Sequence, residues 1–208
     1  MKGRRARSLE TVWRWARTLR PARVGGKALP RLFFLTDPAR TPDPEAVIRR
    51  LPRGAGVVYR AFGDPRAVVD GRRLVKAARR RGLLLLAGAD ANLAARIGAD
   101  GVHLPQRMAM KARGLKRSHR TWIITAAAHS GAAIATARRN GADAVFVSPV
   151  FESASPSAGR PIGSLRFAAL TGQARMPVFA LGGLNANTTR RLAGGRAAGF
   201  AAVEALLD

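Results

Sequence analysis

Gly141-Ala-Asp-Ala-Val-Phe-Val-Ser-Pro-Val-Phe151 (GADAVFVSPVF) decides the fold. Gly-Ala-Asp reads as the turn out of a helix, because glycine reaches the left-handed C-cap conformation without a Cβ penalty. Ala144–Val147 then reads as a strand. It is apolar at successive rather than alternate positions, the pattern of a strand buried on both faces of a parallel sheet. Ser148-Pro149-Val150-Phe151 ends that strand and opens a Ser-rich loop, Glu152 to Ser157. A second strand of this kind, Met176 to Leu181, ends in Gly182-Gly183. Loops that expose backbone N–H groups at strand C-termini suit an anion such as phosphate.

Working outward, eight short apolar runs alternate with helical patterns. The runs are Leu32–Thr36, Gly56–Tyr59, Leu83–Ala87, Gly101–Leu104, Trp122–Ala126, Ala144–Val147, Pro177–Leu181 and Phe200–Val203. Helical periodicity lies between them, as in Pro65–Arg81 and Ser130–Asn140. Eight such units predict an α/β fold, a (β/α)₈ TIM barrel, over residues 32–208. An open doubly wound sheet is the alternative. No GxGxxG follows the first strand, which speaks against a dinucleotide fold. Gly-Ala-Asp recurs at Gly98–Asp100, and Gly199-Phe200 stands in the corresponding last place, a weak internal repeat.

The ends are unusual. Only Glu204–Asp208 follow the last strand, so a truncated eighth helix is expected. Residues 1–31 form a basic extension with an amphipathic helix over Ser8 to Arg20. Leu9, Val12, Trp13, Ala16 and Leu19 share one face of it, and Ser8 is a candidate N-cap. That face either covers barrel surface left bare by the short eighth helix or lies on a membrane surface.

The formal charge is +25, from 37 Lys and Arg against 12 Asp and Glu. Residues 1–31 account for nine of those positive charges, so the basicity is global. An excess of Arg, Ala and Gly throughout reads as compositional bias. Attraction of phosphorylated substrates is the functional reading. No motif for specific nucleic-acid readout is present. There is no cysteine, hence no disulfide or thiolate chemistry. No apolar run reaches the roughly 18 residues of a membrane span, and the N-terminus lacks a secretory signal pattern. A cytoplasmic protein is expected, with self-association left open.

At its motifs the chain resembles the thiamine phosphate synthase/TenI family of (β/α)₈ barrels. The matching pieces are Phe34-Leu35-Thr36-Asp37, Arg60, Gly98-Ala-Asp-Gly-Val-His-Leu-Pro-Gln106 and His129-Ser130. Ser148-Pro-Val-Phe151, Gly163 and Ala180-Leu-Gly-Gly-Leu184 complete the set. The resemblance implies a phosphorylated small-molecule substrate. In the family the synthase joins a pyrimidine pyrophosphate to a thiazole phosphate with magnesium, whereas the TenI branch aromatises a thiazole phosphate without metal.

The departures fall on the magnesium and pyrophosphate positions. The family's Gln-Leu-Arg-x-Lys reads Val58-Tyr-Arg-Ala-Phe62, and its Asn-Asp-Arg reads Gly88-Ala-Asp90. Met108 stands for the second metal carboxylate, Ala127 for a serine and Pro156 for a lysine. No metal or other cofactor is therefore expected, magnesium entering only for a true synthase, for which Asp90 offers a substitute carboxylate.

The resemblance places His129 as general acid/base just past strand five, against the alternative of a loop histidine capping the next helix. It places Arg60, Ser153, Ser155, Gly163, Gly182 and Gly183 around the phosphate. Asp37, at the end of strand one, reads like Arg60 as a ligand or ion-pair residue, with a turn cap as the alternative; His103 reads as a structural strand residue, and His119 carries no role. Glu204 stands where the family has a serine beside the phosphate, and would repel the anion if it points inward; Arg160 or Arg60 could compensate.

Overall fold

The computed structural model describes residues 2–153, 155, 159–203 and 206, with side chains from residue 8 onward. Eight parallel strands close into a barrel, each bonded to its neighbours in sequence and the last to the first. They are β1 Leu32–Leu35, β2 Gly56–Tyr59, β3 Leu84–Gly88, β4 Gly101–Leu104, β5 Ile123–Ala128, β6 Ala144–Val147, β7 Val178–Leu181 and β8 Gly199–Ala202. The predicted runs lie within two residues of these bounds at either end. The doubly wound alternative is excluded by closure between β8 and β1.

The helices are α1 Lys2–Thr18, α2 Pro44–Arg50, α3 Ala67–Arg81, α4 Ala91–Ile97, α5 Ala112–Ser118, α6 Gly131–Arg139, α7 Gly163–Gln173 and α8 Ala186–Arg190. Alternation along each strand divides the core in two. Phe33, Leu35, Val58, Leu86, Phe146 and Phe179 fill the barrel. Residues one position away, such as Leu32, Phe34, Val57 and Val145, pack under the helices. The rings of Phe33, Phe146 and Phe179 meet at centroid distances of 5.1 to 5.2 Å. Burying each such ring stabilises the fold by about 1.5–3 kcal/mol.

Gly-Ala-Asp does more than end a helix. Gly98 and Gly141 have φ of 70° and 79°, as a left-handed cap requires. The aspartates then tie the preceding strand: Asp100 Oδ2 accepts from Leu85 N–H at 2.8 Å, and Asp143 Oδ2 from Ile124 N–H at 2.7 Å. Both carboxylates therefore fix strand order at the N-terminal end of the barrel. Gly199, by contrast, lies inside β8.

The N-terminal helix gives its apolar face to the barrel, but it begins at Lys2, so Ser8 lies inside it and is not its N-cap. α1 lies against α8 and β8, the flank where a helix following β8 would pack. Val12, Ala16 and Leu19 are buried, while Arg14 and Arg17 face solvent. A two-residue hairpin, Arg23–Val24 with Lys27–Ala28, follows, and Leu29 beside it is buried among the barrel-filling residues. Of the expected terminal stub, Leu206 is buried and the rest of Glu204–Asp208 lies outside the described residues. Among the described residues no helix is long and apolar enough to cross a membrane.

Candidate functional site

Residues from the β1–β3 side of the mouth satisfy one another. Arg60 follows β2; its backbone N–H donates to Thr36 Oγ1 at 2.9 Å and its Nε–H to Thr36 O at 2.6 Å. Its Nη2 reaches Asp37 Oδ2 at 3.2 Å, beside Arg40 Nη2 on the same oxygen at 2.7 Å. The Arg40 hydrogen bond, then the Arg40 and Arg60 charges, hold the Asp37 carboxyl below its usual range despite burial. Asp37 is also a turn cap, since Oδ1 accepts from Ala39 N–H at 3.1 Å.

The Arg60 stem crosses the end of β3, where a Cβ on Gly88 would stand 3.0 Å from Arg60 Cγ. The guanidinium lies 5.3 Å from the centre of the Phe62 ring. Arg60 Nη1 has no protein partner among the described residues.

The β5–β7 side is held through backbone groups. His129 follows β5, and its N–H donates to Gln106 Oε1 at 2.9 Å, bridging the ends of β4 and β5. The His129 Nδ1 lies 2.5 Å from Ser148 O, past the end of β6. A carbonyl only accepts, so Nδ1 carries the proton and Nε2 of the neutral ring keeps a lone pair. The capping alternative falls to the next residue: Ser130 Oγ accepts from Ala133 N–H at 3.2 Å and starts α6.

Gly182 and Gly183, after β7, have φ of 92° and 65°. They receive the β6 loop at close range. Phe151 N–H donates to Gly182 O at 3.1 Å, and a Cβ on Gly183 would stand 2.7 Å from Phe151 C and collide with Glu152 O. No larger residue fits there.

Gly163 corrects one expectation. Its N–H donates to Val150 O at 2.9 Å, so that group is spent on the loop and is not offered to an anion. Ser153 and Ser155 are half-buried, and Ser153 Oγ accepts from Ser155 N–H at 3.3 Å. Arg160 is exposed. Pro156 and Glu204 lie outside the described residues.

The donor set does not fit the magnesium that the family implies. Asp90 is exposed and caps α4, Oδ1 accepting from Leu93 N–H at 2.8 Å. One of its oxygens is thus engaged as a helix cap. Met108 offers a half-buried thioether, a poor partner for a hard cation. Among the described residues no three His, Asp or Glu side chains converge as a metal site would need.

One feature escaped the sequence reading, and His103 holds the structural place expected of it. Gln106 orients the His129 backbone; it stood in the quoted motif, but only the β4–β5 register shows its target. His103, on β4, is buried, with Nδ1 2.8 Å from Thr125 Oγ1 and its ring 4.6 Å from that of Phe146. Burial, and then the Arg60 charge, push its pKa down to about 3. The ring is therefore neutral at ordinary pH. His119 stacks on Trp122 at 3.7 Å in the connection from α5 to β5, at the opposite end of the barrel.

The model of a family described as thiamine monophosphate synthase matches residues 32–206. A putative thiamine-phosphate synthase 2 of Aquifex aeolicus is 31% identical over 165 residues, covering 75% of this chain and 86% of the relative. A putative thiamine-phosphate synthase of Geobacter sulfurreducens is 40% identical over 132 residues, 62% of this chain and 61% of the relative. Among solved structures, a thiamine phosphate pyrophosphorylase from Pyrococcus furiosus superposes with a TM-score of 0.75 at 24% identity. The match covers 86% of this chain and 88% of that one, and at this identity it speaks for the fold.

Proposed function

Because the chain belongs to the thiamine monophosphate synthase family, we propose that its mouth holds a phosphorylated thiazole and that His129 moves a proton on it without a metal. The family supports a role in thiamine biosynthesis; the particular reaction is our reading. One observation carries it, the contact of His129 Nδ1 with Ser148 O. That contact leaves Nε2 as a base at the catalytic end of the barrel. In a tautomerisation the proton taken from one carbon is returned to another, so Nε2 ends as it began and no co-reactant is consumed. Arg60 Nη1 and the hydroxyls of Ser153 and Ser155 support the phosphate, with the Gly182-Gly183 turn letting the loop close over it.

The test is turnover of a thiazole carboxylate phosphate by the full chain. His129→Ala is expected to lower the rate about 10²–10⁴-fold with the fold intact, the usual worth of a positioned acid/base. A chelator is expected to change nothing. Full activity in the variant, or loss on chelation, would end this reading.

The relatives' names favour a second reaction, the joining of a pyrimidine diphosphate to a thiazole phosphate. Formation of thiamine phosphate from those two substrates, dependent on a divalent cation, would replace the first reading. Stabilisation by a thiazole phosphate with no turnover of either kind would leave a binding barrel.

A further inference from the structure

His103 takes no part in the chemistry assigned to His129, yet it stands on the floor of the same mouth. It occupies the position before the last residue of β4, level with Gly88 of β3 and Thr125 of β5. Its ring rests on Phe146, which packs on Phe33 and Phe179. These rings close the barrel beneath it. Arg60 crosses β3 at the neighbouring Gly88.

Thr125 decides which nitrogen carries the proton. Its side chain is wholly buried, and among the described residues its hydroxyl meets only His103 Nδ1. A buried hydroxyl that fails to donate is costly, so the hydroxyl donates and Nδ1 accepts. The proton of the neutral ring then sits on Nε2. Among the described residues that nitrogen has no protein partner, and the only fully buried side-chain nitrogen or oxygen there without one is Arg81 Nε. Nε2–H therefore reaches solvent, and with the core closed below, it does so through the mouth.

We propose that His103 is a ligand-contacting residue, its Nε2–H donating to an anionic oxygen of the bound molecule beside the Arg60 guanidinium. This rests on the reading of the mouth as a ligand site. The two histidines then play opposite parts: His129 presents a lone pair, and His103 an uncharged donor. An uncharged donor fixed in a poorly solvated floor stabilises developing negative charge without first being desolvated as a cation. Phosphoryl and carboxylate oxygens both satisfy this chemistry.

Long-range proton–nitrogen NMR spectra of the ¹⁵N-labelled full chain read the protonated nitrogen of each histidine. Inorganic phosphate and a phosphate-free thiazole carboxylate, added separately, then distinguish the two oxygen sources. We expect His103 on Nε2–H, His129 on Nδ1–H, and a saturable shift of the His103 Nε2 signal with one of the probes. Thr125→Val removes the donor to Nδ1 at nearly constant volume. It is expected to mix the His103 tautomers and weaken that probe about tenfold, as loss of one hydrogen bond would. Nδ1–H on His103 of the native chain overturns the inference. So does a probe that moves His129 while leaving His103 still, although the mouth would remain a ligand site. Silence of both histidines to both probes overturns the inference and the site together.

Discussion

On the β1–β3 side of the mouth, Arg60, Asp37, Arg40 and Thr36 use most of their polar atoms on each other. On the β5–β7 side, His129 and the Gly182-Gly183 turn are held by carbonyls and a neighbouring amide. The difference lies in which atoms each side leaves unspent. A side chain oriented through backbone contacts keeps its reactive atom available, as His129 keeps Nε2. A carboxylate paired with two guanidiniums has little left for a metal. The side of the mouth without the family's carboxylate and lysine carries an ion-pair cluster in which only Arg60 Nη1 is left unpartnered among the Arg60 donors. The opposite side has kept a histidine whose second nitrogen is open.

This contrast can be broken most forcefully at Gly183. Gly183→Ala must place a Cβ against Phe151 and Glu152 at φ 65°. Overpacking and a strained φ together predict a loss of roughly 3 kcal/mol in denaturant-derived stability. A loss under about 1 kcal/mol would mean that the β6 loop is not seated as described.

Asp37→Asn probes the other side. It keeps the shape but removes the charge shared by Arg40 and Arg60, which are themselves largely shielded from water. Charge-assisted bonds of this kind predict a loss of about 2 kcal/mol. An unchanged stability would mark the cluster as ornamental and reopen Asp37 as a ligand.

Acid titration sharpens the comparison further. His103 has a folded pKa of about 3 and an unfolded one near 6.5. Below pH 6.5 the unfolded chain takes a proton that the folded chain refuses. Stability should fall by about 1.4 kcal/mol per pH unit between roughly pH 6.5 and 4.5 from this group. Asp37 behaves otherwise: its lowered folded pKa contributes stability above the unfolded value, near 4, which is lost only as pH falls below that. Urea unfolding across the series should therefore show the upper slope unchanged in Asp37→Asn and flattened in His103→Gln. A flat native profile would contradict the neutral, buried His103.

Much of this molecule was legible before any coordinates. Continuous apolar runs, left-handed glycines and the stripe of Val12, Ala16 and Leu19 marked eight strands, their helices and a helix that needed a surface to cover. These features are local: burial period and backbone preference depend on residues a few positions apart. The arrangement of donors and acceptors was not legible. Gly163 looked like an anion donor until Val150 claimed its N–H, and one oxygen of Asp90 turned out to cap α4. His103 is buried and hydrogen-bonded as its structural reading expects, but only the contact with Thr125 bears on where its proton sits. Such outcomes depend on which donor or acceptor lies within about 3 Å, in the next turn for Asp90 but on a neighbouring strand 22 residues away for His103. The amino-acid sequence by itself determined the barrel and the residues at its mouth. Only the tertiary structure decided which of their atoms are spent on the fold and which are left unspent.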